Sequence, residues 1–322
     1  MVARGQAWPE LTAARLWPTM ETLQLWTQIV GKVRLSQTPW LNHGWHVTLR
    51  ISARGLTTGL IPHGAVGFSM EFDFIAGALV LRVSDGGERR IVLKSGTVAD
   101  FYAEVQDALT ALGVACHIDL TPDEMAEATP FPLDERFRTY DAEVARDYWR
   151  ALVQVNRVFG LFRTGFLGKC SPVQLFWGAF DLAVTRFSGR RAPLHPGGVP
   201  NLPDAVTREA YSHEVSSAGF WPGDPGREPA FYAYAYPAPK GFEAAPVSPV
   251  AAHWDAGLGE FILPYAAVRA EDEPDAALCA FLETTYEAAA DLAAWDRAAL
   301  GGLGSSPQSP SPPPGRLPPC CR

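Results

Sequence analysis

The sequence predicts an α+β fold made of two related helix/four-strand/helix halves with mainly antiparallel sheets and a possible internal duplication. Three observations carry this expectation. Apolar residues alternate with period 2 between residues 45 and 83, stripes with 3-4 spacing flank those runs, and the same order of elements recurs after residue 139.

The first element is a helix over roughly Thr19 to Gly31, with Leu23, Trp26 and Val30 on one stripe. A strand follows from Trp45 to Arg54, where Trp45, Val47, Leu49, Ile51 and Ala53 alternate with His46, Thr48, Arg50, Ser52 and Arg54. Phe68, Met70, Phe72 and Phe74 alternate next, and Gly77 leads into Leu79, Leu81 and Val83, which reads as a hairpin. Ile91 to Leu93 adds a short strand. Thr97 and Asp100 then form a capping-box-like start to a helix carrying Val98, Phe101, Val105, Leu109 and Leu112, and Gly113 ends it.

The second half opens on a helix from Asp141 to Phe159, with Val144, Tyr148, Leu152 and Val155 on its apolar stripe. A strand follows Pro172. Pro39 precedes Trp45, Val47, Leu49 and Ile51 at the offsets at which Pro172 precedes Gly178, Phe180, Leu182 and Val184, and this shared phase is the argument for duplication. The closing helix begins at Pro274, behind Glu271, Asp272 and Glu273, and uses Leu278, Phe281, Ala288, Leu292 and Trp295 as its buried stripe.

The resulting division is a first half over 1–120, a Pro- and acid-rich linker over 121–138, a second half over 139–300 and a tail over 301–322. Fifteen of the 22 tail residues are Gly, Ser or Pro, too little to bury, so the tail is expected to be disordered and Cys320 and Cys321 without specific chemistry.

Composition bounds function. The chain has 322 residues, 47% apolar and 19% charged, with a net charge of −8, which argues against a generically basic nucleic-acid binder. Five scattered cysteines make no disulfide framework, and the longest apolar run is far shorter than the roughly 20 residues of a membrane span. The N-terminus lacks the apolar core of a signal peptide, so a cytoplasmic protein is expected. The deficit is uneven: residues 1–120 balance at ten basic against ten acidic, and all of it follows Leu120.

No phosphate-binding glycine loop, GxSxG elbow or HExxH appears, so no cofactor and no metal is expected. His43 and His46 straddle the start of a strand and point to opposite faces, an arrangement that does not hold a metal. Lys32 and Arg34 follow Gly31, and Arg50, Arg54 and His46 share one strand face, a pattern that offers positive charge to an anion. Tyr232, Tyr234 and Tyr236 line one side of a strand whose other side holds Phe231, Ala233 and Ala235. Three phenols in a row are either an aromatic binding wall or a core layer whose hydroxyls reach the rim, and Trp221 shares a face with His213 and Ser217.

The segments TLQLWTQIVGKVRL, PWLNHGWHV, SHEVSSAGFWPG and PAFYAYAYP resemble those of an uncharacterised bacterial family carrying a domain of unknown function. The resemblance runs from about Trp8 to Leu300. It implies that Gln28, Lys32, Arg34, Asn42, His43, His213, Glu214 and Trp221 lie in the family's characteristic segments, and that a histidine is usual where this chain has Gln24.

The expected function is binding of a small anionic or aromatic molecule in a cleft between the halves, with Lys32, Arg34, His46, Arg50 and Arg54 supplying charge and Trp221, Tyr232, Tyr234 and Tyr236 shaping the pocket. An enzyme using His213 or Glu214 as acid or base is the second expectation. A third is a protein-interaction module acting through the acidic closing helix and the tail. Neither nucleic acid nor membrane is an expected partner.

Overall fold

The computed structural model describes residues 7–302; most of the tail, with Cys320 and Cys321, lies outside them. Among the described residues the chain forms seven α-helices and two six-stranded antiparallel sheets, an α+β architecture. The first half runs α1 (Ala13–Gln37), β1 (Arg50–Ile51), β2 (Gly55–Thr57), β3 (Ile61–His63), β4 (Val66–Asp73), β5 (Ala78–Val83), β6 (Glu88–Val92) and α2 (Val98–Ala111). The second runs α3 (Ala142–Thr164), β7 (Gln174–Phe176), β8 (Asp181–Arg191), α4 (Asp204–Ala210), β9 (His213–Trp221), β10 (Ala230–Tyr236), β11 (His253–Asp255), β12 (Glu260–Pro264), α5 (Tyr265–Ala270), α6 (Pro274–Leu292) and α7 (Arg297–Leu300).

Sheet order is β1-β2-β4-β5-β6 in the first half, with β3 paired to β4, and β7-β8-β9-β10-β12-β11 in the second. The two sheets meet at their edges. Leu49 N–H donates to Leu175 O at 3.0 Å and Leu175 N–H returns to Leu49 O at 2.9 Å, so backbone bonds join β1 to β7. Trp177 packs across this joint: its Nε1 donates to Val47 O at 2.9 Å, and its ring lies so close to Gly31 that a Cβ there would sit 2.2 Å from Nε1.

Alternation and helical spacing translate directly where elements are long. Phe68, Met70 and Phe72 of β4 are buried beside Leu79 and Leu81 of β5, and Thr97 caps α2 by accepting from Asp100 N–H. Trp26 of α1 stacks on Phe101 of α2 at 4.5 Å. α1 is longer than its apolar stripe and is buried on nearly every side, with Thr22, Thr27, Gln28 and Lys32 inside along with Leu23, Trp26 and Val30. Asp141 caps α3 by accepting from Glu143 and Val144 N–H.

The structure corrects four local expectations. The strand from Trp45 to Arg54 does not form: residues 45–47 are a turn that follows left-handed His43 and Gly44, and the chain reverses again at 52–54. Ser52 Oγ accepts from Arg54 and Gly55 N–H there, and Gly55 fits because a Cβ would lie 1.8 Å from Phe72 O. Each half therefore has six strands instead of four. The Pro39 and Pro172 registers also differ, since Gly178 and Phe180 occupy a turn and β8 begins only at Asp181. On α6, Leu292 is exposed and Trp295 lies past the helix end, while Leu282, Thr285, Tyr286 and Ala289 complete the buried stripe. The acid-rich segment 121–138 is not a loose connection: Phe131, Asp134 and Arg138 are buried in it.

Candidate functional site

The second sheet has two unlike faces. Leu182, Val184, Phe220, Phe231, Ala233 and Leu263 are buried in the core. Register puts Thr185 beside Ser217, Gly219 beside Tyr232 and Ser217 beside Tyr234, all on the opposite face, with Trp221 on the same parity. Tyr232, Tyr234 and Tyr236 share this polar and aromatic face, as the alternation in FYAYAYP predicts. Tyr232 crosses Gly219, where a Cβ would lie 2.3 Å from the ring, and its hydroxyl donates to Asp181. The Tyr234 and Tyr211 hydroxyls are hydrogen-bonded at 2.8 Å, and Tyr211 stacks on His195 at 4.7 Å. Tyr236 donates to Pro193 O, so the loop after β8 covers this end.

Next to this face lies a cavity of about 470 Å³, lined by Trp17 and Gln24 of α1, by Glu124 and its neighbours in the acid-rich segment, and by Gly178, Val199 and Trp221 of the second half. The segment is held by α1. Gln28 clasps the backbone of Asp123, donating to its carbonyl at 3.0 Å and accepting from its N–H at 2.7 Å. Lys32 pairs with the Asp123 carboxylate at 2.8 Å and with that of Asp119 at 3.2 Å. Glu124 then adopts a left-handed backbone, φ 60°, and rests its carboxyl against Gly178, whose carbonyl accepts from Gln24 Nε2 at 2.6 Å. Phe180, φ 58°, is left-handed too and turns the chain into Asp181. Two such residues flank one cavity, and backbone strain of this kind is commonly concentrated at functional sites.

Electrostatics here is acidic. Burial, then the charges of Asp181 and Asp123, pushes Glu124 up to about 7. Burial raises Asp181 to about 6 against the opposing hydrogen bond from Tyr232, and burial with Asp181 and Asp255 nearby raises Glu260 to about 7. These carboxyls are invisible as a group in the sequence, because they come from the linker, the start of β8 and the start of β12. The only signal there is the excess of acid after Leu120.

The basic residues singled out in the sequence are not brought together. Lys32 faces the acid-rich segment. Arg34 donates to the carbonyls of Thr48 and Thr58, and Arg50 donates to Val173 O at 3.0 Å across the sheet joint. Burial lowers Arg34, and burial followed by the charges of Arg34 and Arg163 brings Arg50 down to about 10. Arg54 pairs with Asp73 at 2.5 Å after the chain has reversed, so it no longer shares a strand face with Arg50. His46 is buried, which pushes it down, and its Nδ1 accepts from Leu41 N–H.

His213 and Glu214 point apart. His213 contacts Ser212 Oγ at 3.0 Å, while Glu214 accepts from Ser188 at 2.8 Å and pairs with Arg190 at 2.7 Å. Glu214 lines a separate cavity of about 390 Å³ with Arg190, Tyr236 and Trp295. Among the described residues no group of three or more His, Cys, Asp or Glu side chains is placed to hold a metal ion. No described helix is long and apolar enough to cross a membrane.

Fold and cavity together define an α+β protein of two edge-joined antiparallel sheets, with an aromatic and acidic cleft between its halves. The chain belongs to a family of unknown function, DUF5996, whose family model matches residues 8–302. Comparison with curated proteins and with solved structures finds no match.

Proposed function

We propose that the protein binds a small aromatic molecule, neutral or cationic, in the cleft bounded by Trp17, Glu124 and Trp221. The supporting observation is the composition of that cavity, which indole rings from both halves line and whose ionisable lining groups are all carboxyls. Aromatic faces attract cations, and a carboxylate in a partly desolvated site strengthens that preference. An anionic ligand finds no support at this cavity, because Lys32, Arg34, Arg50 and Arg54 each engage carboxylates or carbonyls of the protein itself.

Calorimetric titration with phenethylamine, benzyl alcohol and phenylacetate tests the reading. The amine is expected to bind best and phenylacetate worst, and Trp221→Ala should weaken the amine by about tenfold, near 1.4 kcal/mol. Tightest binding of phenylacetate, or an amine affinity untouched by Trp221→Ala, refutes it. A second reading is favoured by one observation: Glu124 near 7 lies beside Asp181 near 6, so acid and base coexist at neutral pH. On that reading Glu124→Gln abolishes turnover of a bound ligand and leaves its affinity in place.

A further inference from the structure

A second group of reactive side chains lies away from this cleft, on the three-residue helical turn Asn42–Gly44. His43 is buried although its backbone is left-handed, φ 61°. Its N–H donates to Glu209 Oε1 at 3.1 Å, and Trp40 Nε1 donates to the same carboxylate at 2.9 Å. The His43 ring lies 5.1 Å from Trp45 and 4.7 Å from Phe187. Its Nδ1 stands 3.2 Å from Ala210 O, a partner that only accepts, so Nδ1 carries the proton and Nε2 presents a lone pair. That lone pair meets Lys169 Nζ at 2.5 Å. Lys169 is exposed as a residue, and its amine sits 5.3 Å from the Trp45 ring centre and 5.0 Å from that of Phe187.

We propose that Lys169 is a nucleophilic amine that condenses with small aldehydes to an imine, with His43 as its proton acceptor. The ammonium gives one proton to His43 Nε2. The freed amine then attacks the aldehyde carbon, a C–N bond forms, the carbonyl π bond breaks, and the alkoxide takes the proton back from the imidazolium. Loss of one of the two N–H protons together with hydroxide, as water, leaves the protonated imine, which keeps the other, with no oxidant or reductant required. Burial lowers the affinity of Lys169 for its proton while Glu209 opposes this, and His43 is lowered by burial and by Lys169, so its imidazole stays neutral with the Nε2 lone pair turned to the amine.

The chain provides its own reference, since its four lysines are Lys32, Lys94, Lys169 and Lys240. Lys32 is buried and paired, and Lys240 is exposed. Limiting benzaldehyde with cyanoborohydride at pH 7 traps the imine as a benzyl group, which peptide mass spectrometry quantifies at each lysine. Lys169 is expected to label several-fold faster than Lys240, because burial lowers its basicity and its amine is held against the His43 lone pair. His43→Gln should bring it to the rate of Lys240. Equal labelling of Lys169 and Lys240 in the natural protein overturns the proposal, as does a fast Lys169 that His43→Gln leaves fast. If His43→Gln does not fold, the pH profile of the natural protein decides: half-maximal labelling of Lys169 must come at a lower pH than that of Lys240, and coincident profiles overturn it.

Discussion

Replacing Glu124 by Gln should stabilise the protein clearly at pH 8 and much less at pH 5. The carboxyl is raised from 4.5 to about 7 by burial and by the neighbouring charges of Asp181 and Asp123. A folded-state value above the unfolded one means that the folded chain holds this proton more tightly. Glu124 therefore imposes no penalty below about pH 4.5, an increasing one as pH rises toward 7, and the full one above it. At 1.36 kcal/mol per unit the full penalty is roughly 3 kcal/mol. Part belongs jointly to Asp181, so removing Glu124 alone should return about 2 kcal/mol. The amide keeps the volume against Gly178 and stays neutral throughout. Urea unfolding followed by tryptophan fluorescence at pH 5, 6, 7 and 8 measures the difference. A variant no more stable than the natural protein at pH 8, or a gap that widens toward pH 5, would falsify the placement of Glu124 in a desolvated acidic site.

Three further substitutions probe what positions the cleft. Lys32→Met removes the partner of the nearly buried Asp123 carboxylate and should cost about 3 kcal/mol; the exposed Asp119 contributes little, and hydrogen exchange should show residues 119–127 losing protection. Gly31→Ala forces Trp177 off α1 and should lower stability in urea by about 1–3 kcal/mol, although Ala is the better helix former; a stabilised variant contradicts the packing of Trp177 on Gly31. Tyr232→Phe deprives Asp181 of the donor that holds its carboxyl down, so Asp181 should titrate above its present value of about 6, and the stability loss should be larger at pH 8 than at pH 5. Carbon-13 titration of the Asp carboxyls and urea unfolding at the two pH values check this.

What is legible in the sequence follows from period and length. β4, β5, α2, α3 and α6 are long enough for alternation or 3-4 spacing to average over several turns or pairs, and their expected boundaries lie close to the observed ones. β1, β2 and β3 have two or three residues each, so alternation alone extends β1 into a ten-residue strand that takes in the turn before it and the reversal at 52–54. The shared face of Tyr232, Tyr234 and Tyr236 is legible because they alternate with Phe231, Ala233 and Ala235, a pattern that by itself separates two faces of a strand. Where the basic residues end up is not, since a charge in a sequence carries no record of its partner. Lys32 looks as free as any lysine until Asp123 arrives from 91 residues away.

The dependence of the cleft on both halves follows from how they are joined. Trp17 and Gln24 reach it from α1, Gly178 and Trp221 from the second sheet, and Glu124 from the segment between them. Their relative positions are set by the joint, where two backbone bonds tie Leu49 to Leu175 and Thr48 donates to Gln174 Oε1 at 3.0 Å. Arg50 reaches Val173 O and Trp177 reaches Val47 O in the same place. Arg34 and Arg50, whose positions in the sequence suggest ligand-binding charges, thus act on the cleft at a distance, by satisfying carbonyls near a buried edge that would otherwise lack donors. A charge that is spent on a carbonyl at the joint keeps two sheets in one register, and that register is what brings Trp17 and Trp221 to one cavity.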